Sequence, residues 1–164
     1  MRPSRIAEVH PPGPPASAVA AVALDKARAV AREWRGPAVV LGADTEVVLD
    51  GRYLGKPRDA ADAALMLRAL GGRTHEVVTG VALVEAPSGR EETIAVTTRV
   101  TMIAAGDDEI AAYVATGEPL DKAGAYAVQG QGAHLVARVD GCFTNVVGLP
   151  VEATRRLLER WGVV

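Results

Sequence analysis

The order of hydrophobic and polar positions along the chain predicts several helices. Ser17 is a suitable N-cap for an Ala-rich segment with apolar residues at helical spacing, which runs to about Trp34. Asp59 precedes a second helix with one apolar stripe, which ends at Gly71-Gly72. Further helices are predicted from Asp107 through Tyr113 and from about Pro150 to Trp161.

Alternating and β-branched runs predict the strands. An apolar run that starts at Pro37 leads into a strand carrying Asp44, and Asp50-Gly51 is typical of a tight hairpin turn. The other runs that predict strands are residues 76–84, 92–103 and 133–139. Long strands mixed with helices predict the fold class α/β (mixed α+β), with a long twisted mixed sheet flanked by helices.

Composition narrows the class of protein. A chain of 164 residues suits one domain, and we expect a single domain over residues 1–164 in which residues 1–15 are a Pro-rich leader. The net charge of −2 does not favour nucleic acid or an anionic membrane as a partner. Cys142 is the only cysteine, which excludes an internal disulfide. The sequence has no run of transmembrane length and no signal peptide, so we expect a cytoplasmic protein.

The segment from Leu41 to Gly51 contains the strongest candidate chemistry. An apolar strand ends in small residues that present Asp44 and Thr45, and Lys56 follows in a loop framed by Gly and Pro. A carboxylate, a hydroxyl and an ammonium can together bind a metal–phosphate and activate a water molecule. On residue types alone, a strand end, a hairpin and a solvated lysine explain the same pattern.

A Gly-rich segment, residues 117–132, is the second candidate. It offers opposite charges at Asp121 and Lys122, and the amide of Gln129 is suited to reading the edge of a nucleobase. Taken alone, this segment is more typical of a polar surface loop with an incidental ion pair. His75 is more typical of a locally hydrogen-bonded residue at a strand start, and no cluster of histidines indicates zinc.

Several multi-residue motifs follow one another in a specific order from about Ala23 to the C-terminus: Gly42-Ala43-Asp44-Thr45, Gly55-Lys56-Pro57, Leu70-Gly71-Gly72-Arg73-Thr74-His75, Thr79-Gly80-Val81, Asp121-Lys122-Ala123-Gly124-Ala125-Tyr126, Gln129-Gly130 and Asn145-Val146-Val147-Gly148-Leu149-Pro150. This series resembles the Maf family of nucleoside triphosphate pyrophosphatases. The resemblance implies hydrolysis of a nucleoside triphosphate to the monophosphate and pyrophosphate, assisted by a divalent metal cation, Mg²⁺ or Mn²⁺.

The resemblance also implies roles for individual residues. Asp44 matches the family's proposed general base, which would hold a water for attack on the α-phosphorus. Lys26 and Lys56 match lysines that neutralise phosphate charge. Thr45 and Gln129 match positions associated with base choice, and the Thr/Gln pairing is similar to the subgroup acting on dTTP and UTP.

The N-terminus departs from the family pattern. Maf proteins open with a strand and a Ser-x-Ser-Pro-Arg-Arg phosphate loop, and no such motif precedes the first helix. Residues 2–8 instead resemble a later family segment that ends in Asp-Glu, in which Ala7 replaces the Asp and Glu8 matches a metal-associated glutamate. Asp44 and Glu8 are therefore the expected metal ligands.

This departure leaves alternatives open. A non-catalytic nucleotide-binding or cell-division regulatory protein would keep the other motifs without the phosphate loop. A natural start upstream of Met1 would instead restore the loop. If a central strand were missing, the sheet would expose an edge, which favours association into a homodimer.

Overall fold

The computed structural model describes residues 9–164, and its architecture confirms the α/β prediction. The helices are α1 (Pro15–Glu33), α2 (Ala60–Leu70), α3 (Asp107–Ala115), α4 (Phe143–Val147) and α5 (Val151–Arg160). The strands are β1 (Ala38–Leu49), β2 (Arg52–Tyr53), β3 (Thr74–Ala86), β4 (Glu91–Met102) and β5 (Val136–Asp140). They form one five-stranded sheet in the order β2-β1-β3-β4-β5.

Turn residues and strand burial explain the pairing of β1 with β2 and the apolar composition of β3. β1 and β2 pair antiparallel with Leu49 opposite Arg52, and φ angles of 50° at Asp50 and 76° at Gly51 fit the tight turn predicted there. β4 and β5 also pair antiparallel. β3 lies in the middle of the strand order, and its residues 77–84 are all buried, which explains why they are almost entirely apolar.

The helix ends confirm some predicted caps and correct others. Asp59 caps α2, since its Oδ1 accepts a hydrogen bond of 2.8 Å from the backbone N–H of Asp62. The prediction that Ser17 caps α1 is wrong, because the helix begins two residues earlier, at Pro15. Proline suits the first turn of a helix, where no N–H donor is needed. The helical part of the chain therefore includes the last residue of the predicted leader.

The predicted strand at residues 133–139 is only partly correct. Residues 131–135 form a 3-10 turn, and β5 begins at Val136. The backbone N–H groups of Gln131 and Gly132 donate to the carboxylate of Glu118, each at 2.9 Å. These bonds hold the start of the segment in a turn, where a side chain takes the place of a neighbouring strand.

The described chain divides into two compact units. Residues 9–45, 78–96 and 148–164 form the first, here called the α1 unit, and residues 46–77 and 97–147 form the second, the α2 unit. In the α1 unit, Val81 and Leu83 of β3 pack with Leu157 of α5. In the α2 unit, one larger cluster contains aliphatic residues of α2 and β3 together with Tyr113 and Tyr126.

In the α1 unit, two strand positions must be glycine because the backbone of a helix lies very close to them. A Cβ at Gly42 of β1 would lie 2.4 Å from the carbonyl oxygen of Ala23, and one at Gly80 of β3 would lie 2.6 Å from that of Val19. Both contacts are with the backbone of α1, so the strands can touch this helix only where they carry no side chain. Among the described residues, no helix has the length and apolar character needed to cross a membrane.

Candidate functional site

Asp44 lies on β1 in the α1 unit and is almost completely buried, with 5% of its surface exposed. Its Oδ1 accepts a hydrogen bond of 2.6 Å from the Nζ of Lys26 on α1. The close approach of α1 to β1 at Gly42 brings the two side chains within reach. The sequence-predicted base and the first predicted phosphate lysine are thus directly paired, which stabilises the charge of a buried carboxylate.

His10 lies near the other oxygen of this carboxylate. Its Nε2 is 3.6 Å from Asp44 Oδ2, and Oδ2 is buried and accepts no hydrogen bond from the described residues. Glu46, also buried, follows Asp44 by two positions on β1 and therefore projects to the same side of the strand. Carboxylate oxygens and imidazole nitrogens are suitable donors for a divalent cation. The other predicted metal ligand, Glu8, lies outside the described residues.

Thr45, the next residue of β1, is half-buried and has two hydroxyl contacts within the α1 unit. Its Oγ1 lies 2.9 Å from Oγ1 of Thr79 on β3 and 3.3 Å from the carbonyl oxygen of Gly148. Gly148 has a φ of 120°, which favours glycine, and it precedes α5. The predicted base-choice residue is thus held on two sides by the α1 unit.

Lys56 is exposed on the loop between β2 and α2, in the α2 unit. The preceding residue, Gly55, accepts a hydrogen bond of 2.8 Å at its carbonyl oxygen from the N–H of Gly124. The pKa of Asp121 is lowered, chiefly by its bond to Lys122 and to a smaller degree by the charge of Lys56. The loop of Lys56 and the Gly-rich segment therefore lie side by side within the α2 unit.

Gln129 is exposed on the Gly-rich segment, which a buried phenol and a carboxylate hold in place. Glu118 accepts hydrogen bonds from the hydroxyl of Tyr113, at 2.9 Å, and from the backbone N–H groups of Gln131 and Gly132. Burial opposes the ionisation of Glu118, but these donors outweigh it and lower the pKa of its carboxyl group. An ionised Glu118 thus fixes the backbone on the C-terminal side of Gln129.

His75 lies at the start of a strand, as predicted, but its hydrogen-bond partner is 51 residues away and not local. It is 2% exposed, and its Nε2 lies 2.8 Å from the Oη of Tyr126 in the core of the α2 unit. Burial lowers the pKa of the imidazole from 6.5 to about 4, so it is neutral at pH 7. A neutral, enclosed imidazole bonded to a phenol is typical of a core residue.

The structure thus brings together Lys26, Asp44 and Thr45 in the α1 unit. In the α2 unit, the loop that contains Lys56 lies beside the Gly-rich segment that contains Gln129. Sequence reasoning missed the contacts of His10 with Asp44 and of Thr79 with Thr45. No local spacing could have revealed them, because each partner lies on a distant part of the chain. Thr79 does stand in a Thr-Gly-Val run before the close approach at Gly80, and that run was the only available signal.

Comparison with known proteins identifies the family of this chain. A family model described as Maf-like protein matches residues 1–161. A dTTP/UTP pyrophosphatase of Moorella thermoacetica is 56% identical over 99% of this chain and 84% of its own length. Proteins with the same name from Desulfitobacterium hafniense and Anaeromyxobacter dehalogenans are 49% and 53% identical, over 73% and 82% of their lengths. A match over almost the whole chain shows that this protein belongs to the Maf-like family.

Proposed function

We propose that this protein is a nucleoside triphosphate pyrophosphatase that hydrolyses dTTP and UTP to the monophosphate and pyrophosphate. The observation that carries the proposal is the buried Asp44 carboxylate, with one oxygen bonded to Lys26 and the other accepting no hydrogen bond from the described residues. Relatives that are about half identical over nearly the whole chain are named for this activity. We further propose that the enzyme acts in the cytoplasm, and as a homodimer.

In this proposal Asp44 is the general base. Its carboxylate takes a proton from a water molecule whose oxygen then forms a bond to the α-phosphorus. The bond from the α-phosphorus to the bridging oxygen breaks, and pyrophosphate leaves with that oxygen. Lys26, beside Asp44, and Lys56 neutralise the negative charge of the phosphates.

A divalent cation, Mg²⁺ or Mn²⁺, fits the donors of the α1 unit. Asp44 Oδ2 is buried without a hydrogen bond from the described residues, and an oxygen of this kind is an appropriate ligand for a hard cation. Asp44 would hold the cation, and Glu8 is proposed as a second ligand. When bound, the cation would neutralise phosphate charge and make the attacking water more acidic.

Base selection is assigned to Thr45 and Gln129. A hydroxyl and an amide provide hydrogen-bonding groups for the edge of a pyrimidine, which carries carbonyl acceptors and an N–H donor. The firm positioning of both residues supports the proposal, since Thr45 is held by Thr79 and Gly148, and Glu118 holds the loop of Gln129. The alternative, a non-catalytic nucleotide-binding protein, is less favoured, because the similar relatives are named as enzymes.

The test is release of pyrophosphate from dTTP and UTP by the purified protein with Mg²⁺ or Mn²⁺. We expect Asp44→Asn to lower kcat by roughly 10²–10⁴-fold, the range that a general base supplies. The matched control is Asp50→Asn, a change of an exposed aspartate in the turn that follows the same strand. Wild-type protein that binds these nucleotides but releases no pyrophosphate would support the non-catalytic alternative.

Labelled water tests which phosphorus is attacked. In H₂¹⁸O the proposal puts one ¹⁸O atom in the nucleoside monophosphate and none in the pyrophosphate, because water bonds to the α-phosphorus. Label in the pyrophosphate would mean attack at the β-phosphorus and would contradict the role of Asp44 proposed here. Removal of the cation with EDTA should abolish turnover, and added Mg²⁺ should restore it.

A further inference from the structure

The phenol hydroxyl of Tyr113 on α3 makes two hydrogen bonds, and the chemistry of its partners fixes the direction of both. The backbone N–H of Ala127, at 3.2 Å, can only donate. The Oε1 of Glu118, at 2.9 Å, accepts, because the lowered pKa keeps this carboxyl group ionised at neutral pH. The hydroxyl of Tyr113 therefore accepts from Ala127 and donates its only hydrogen to Glu118.

These two bonds join both flanks of Gln129 into one network. Ala127 lies two positions before Gln129, and Gln131 lies two positions after it. The carboxylate of Glu118 that accepts from Tyr113 also accepts from the backbone N–H of Gln131, at 2.9 Å. One phenol and one carboxylate thus hold the backbone on the two sides of Gln129.

The backbone of this segment also packs directly against the two side chains. A Cβ at Gly132 would lie 2.4 Å from the Oη of Tyr113, and a Cβ at Gly130 would lie 2.6 Å from the Oε2 of Glu118. Gly130 has a φ of 134° as well, which favours glycine. The segment follows the hydroxyl and the carboxylate this closely only because both positions lack a side chain.

We propose that Tyr113 is a positioning residue for base selection, whose hydroxyl holds the backbone at Ala127 and so gives the amide of Gln129 a fixed place at the nucleobase. The inference rests on the proposed function and adds a residue to the base-reading part of the site. Gln129 is exposed and lies outside the regular helices and strands, so its backbone depends on neighbouring side chains for its position. A group that reads a base must itself be held in place.

A held backbone matters because an amide is ambiguous. It carries an acceptor and a donor side by side, and when turned over it presents them in the reverse order. Uracil has a carbonyl oxygen and an N–H at the positions where cytosine has an amino group and a lone pair. One orientation of the Gln129 amide therefore suits uracil and the other suits cytosine. A loosely held segment lets the amide reach both.

The experiment measures kcat/KM for UTP and for CTP and takes their ratio, in which any loss of folded protein cancels. Tyr113→Phe keeps the ring and leaves the N–H of Ala127 without its acceptor, at a side chain that is only 2% exposed. We expect the ratio to fall about threefold to tenfold, the usual effect of one hydrogen bond.

Tyr126→Phe is the matched control. It removes a buried phenol hydroxyl from the same core cluster, but that hydroxyl contacts His75 on β3 and not the backbone around Gln129. The ratio should stay at the wild-type value. The backbone amide of Ala127 should exchange its hydrogen faster in Tyr113→Phe than in this control, as measured by NMR.

A double variant tests whether Tyr113 acts through Gln129. Gln129→Ala removes the amide that reads the base. If the hydroxyl of Tyr113 only positions this amide, Tyr113→Phe should not change the ratio further in the Gln129→Ala background. A general disturbance of the core would lower the ratio in both backgrounds.

The outcomes are distinguishable. An active wild type whose ratio is unchanged by Tyr113→Phe overturns the role of Tyr113 and leaves the proposed function standing. A fall of equal size in Tyr126→Phe, or one of equal size with and without the amide of Gln129, also overturns it. Wild-type protein inactive on UTP and dTTP overturns both proposals. If Tyr113→Phe does not fold, Glu118→Gln weakens the same network, and an unchanged ratio there overturns the role of Tyr113.

Discussion

Lys26 Nζ lies 2.6 Å from Asp44 Oδ1, and the two side chains are 17% and 4% exposed. Burying a charged group without a partner is costly, and Lys26 supplies a partner of opposite charge for Asp44. The ammonium of Lys26 can therefore have two roles, to stabilise the folded protein and to neutralise substrate charge. Substitution of Lys26 separates these roles from each other.

We expect Lys26→Met to lower both stability and activity. Removing one partner of a buried ion pair leaves an uncompensated charge and usually costs about 3–5 kcal/mol. Urea unfolding at pH 7 measures this cost. The KM for UTP should also rise if Lys26 neutralises phosphate charge as proposed.

Arg28→Met, two positions further along α1, is the control. Arg28 pairs with Glu91 on the surface, where solvent screens the interaction, so we expect little change in unfolding or in KM. The double variant with Asp44→Asn removes the uncompensated charge. It should therefore regain stability relative to Lys26→Met, although not activity. Equal stability of these two variants would contradict the ion-pair explanation.

Local chemistry in the sequence determines much of the fold. The turn at Asp50-Gly51 and the cap at Asp59 were predictable, since each depends on residues within three positions of one another. The Thr45–Thr79 contact spans 34 residues, and the Thr-Gly-Val run at Thr79 does not indicate which residue Thr79 contacts. Only the strand order places β1 beside β3 and so pairs the two hydroxyl groups.

The site was predictable only in part for the same reason. The motif series made Asp44, Thr45 and Lys56 candidates, because these residues belong to runs that are specific in themselves. His10 lies in a Pro-rich stretch with no chemical pattern, and its approach to Asp44 depends on how the chain enters α1. The sequence could therefore not predict which distant residues contact one another in the folded chain.

Glu118→Gln should loosen the Gly-rich segment that carries Gln129. The carboxylate accepts from Tyr113, Gln131 and Gly132, and hydrogen bonds to a charged acceptor are stronger than those to an amide. We expect the backbone amides of Gln131 and Gly132 to exchange about tenfold faster, measured by hydrogen exchange in NMR. Selectivity for UTP over CTP should fall as well.

The same network predicts a pH effect with a defined sign. The pKa of Glu118 is lowered on folding, so its contribution to stability is complete above the ordinary value near 4.5 and is lost as pH falls through the folded value. Protection of these amides should therefore decrease in acid in the wild type and change less in Glu118→Gln. Asp108→Asn, which alters an exposed carboxylate on α3, is the control and should not affect exchange. Equal acid sensitivity of wild type and Glu118→Gln would refute the assignment.

Gly80→Ala should destabilise the α1 unit. The added Cβ would lie 2.6 Å from Val19 O and 2.7 Å from Ala20 N, and backbone atoms cannot move aside as a flexible side chain can. Forced separation of β3 from α1 should cost about 1–3 kcal/mol, the usual range for overpacking, and lower the Tm. Gly106→Ala is the control, since a Cβ there meets nothing within 4 Å. Similar Tm values for both variants would show that the close approach does not limit the fold.

His75 should make the protein less stable in mild acid. Burial lowers its pKa from 6.5 to about 4, so between these values the unfolded chain takes up a proton that the folded chain does not. The stabilising contribution is therefore complete above pH 6.5, declines as pH falls, and is lost near pH 4, a change on the order of 3 kcal/mol. His75→Gln lowers stability at pH 7 because it disturbs the contact with Tyr126, but it removes this pH dependence.

The test is the difference in unfolding free energy between wild type and His75→Gln, which should shrink from pH 7 to pH 4.5. A constant difference for His75→Gln would mean that the buried imidazole is protonated without unfolding.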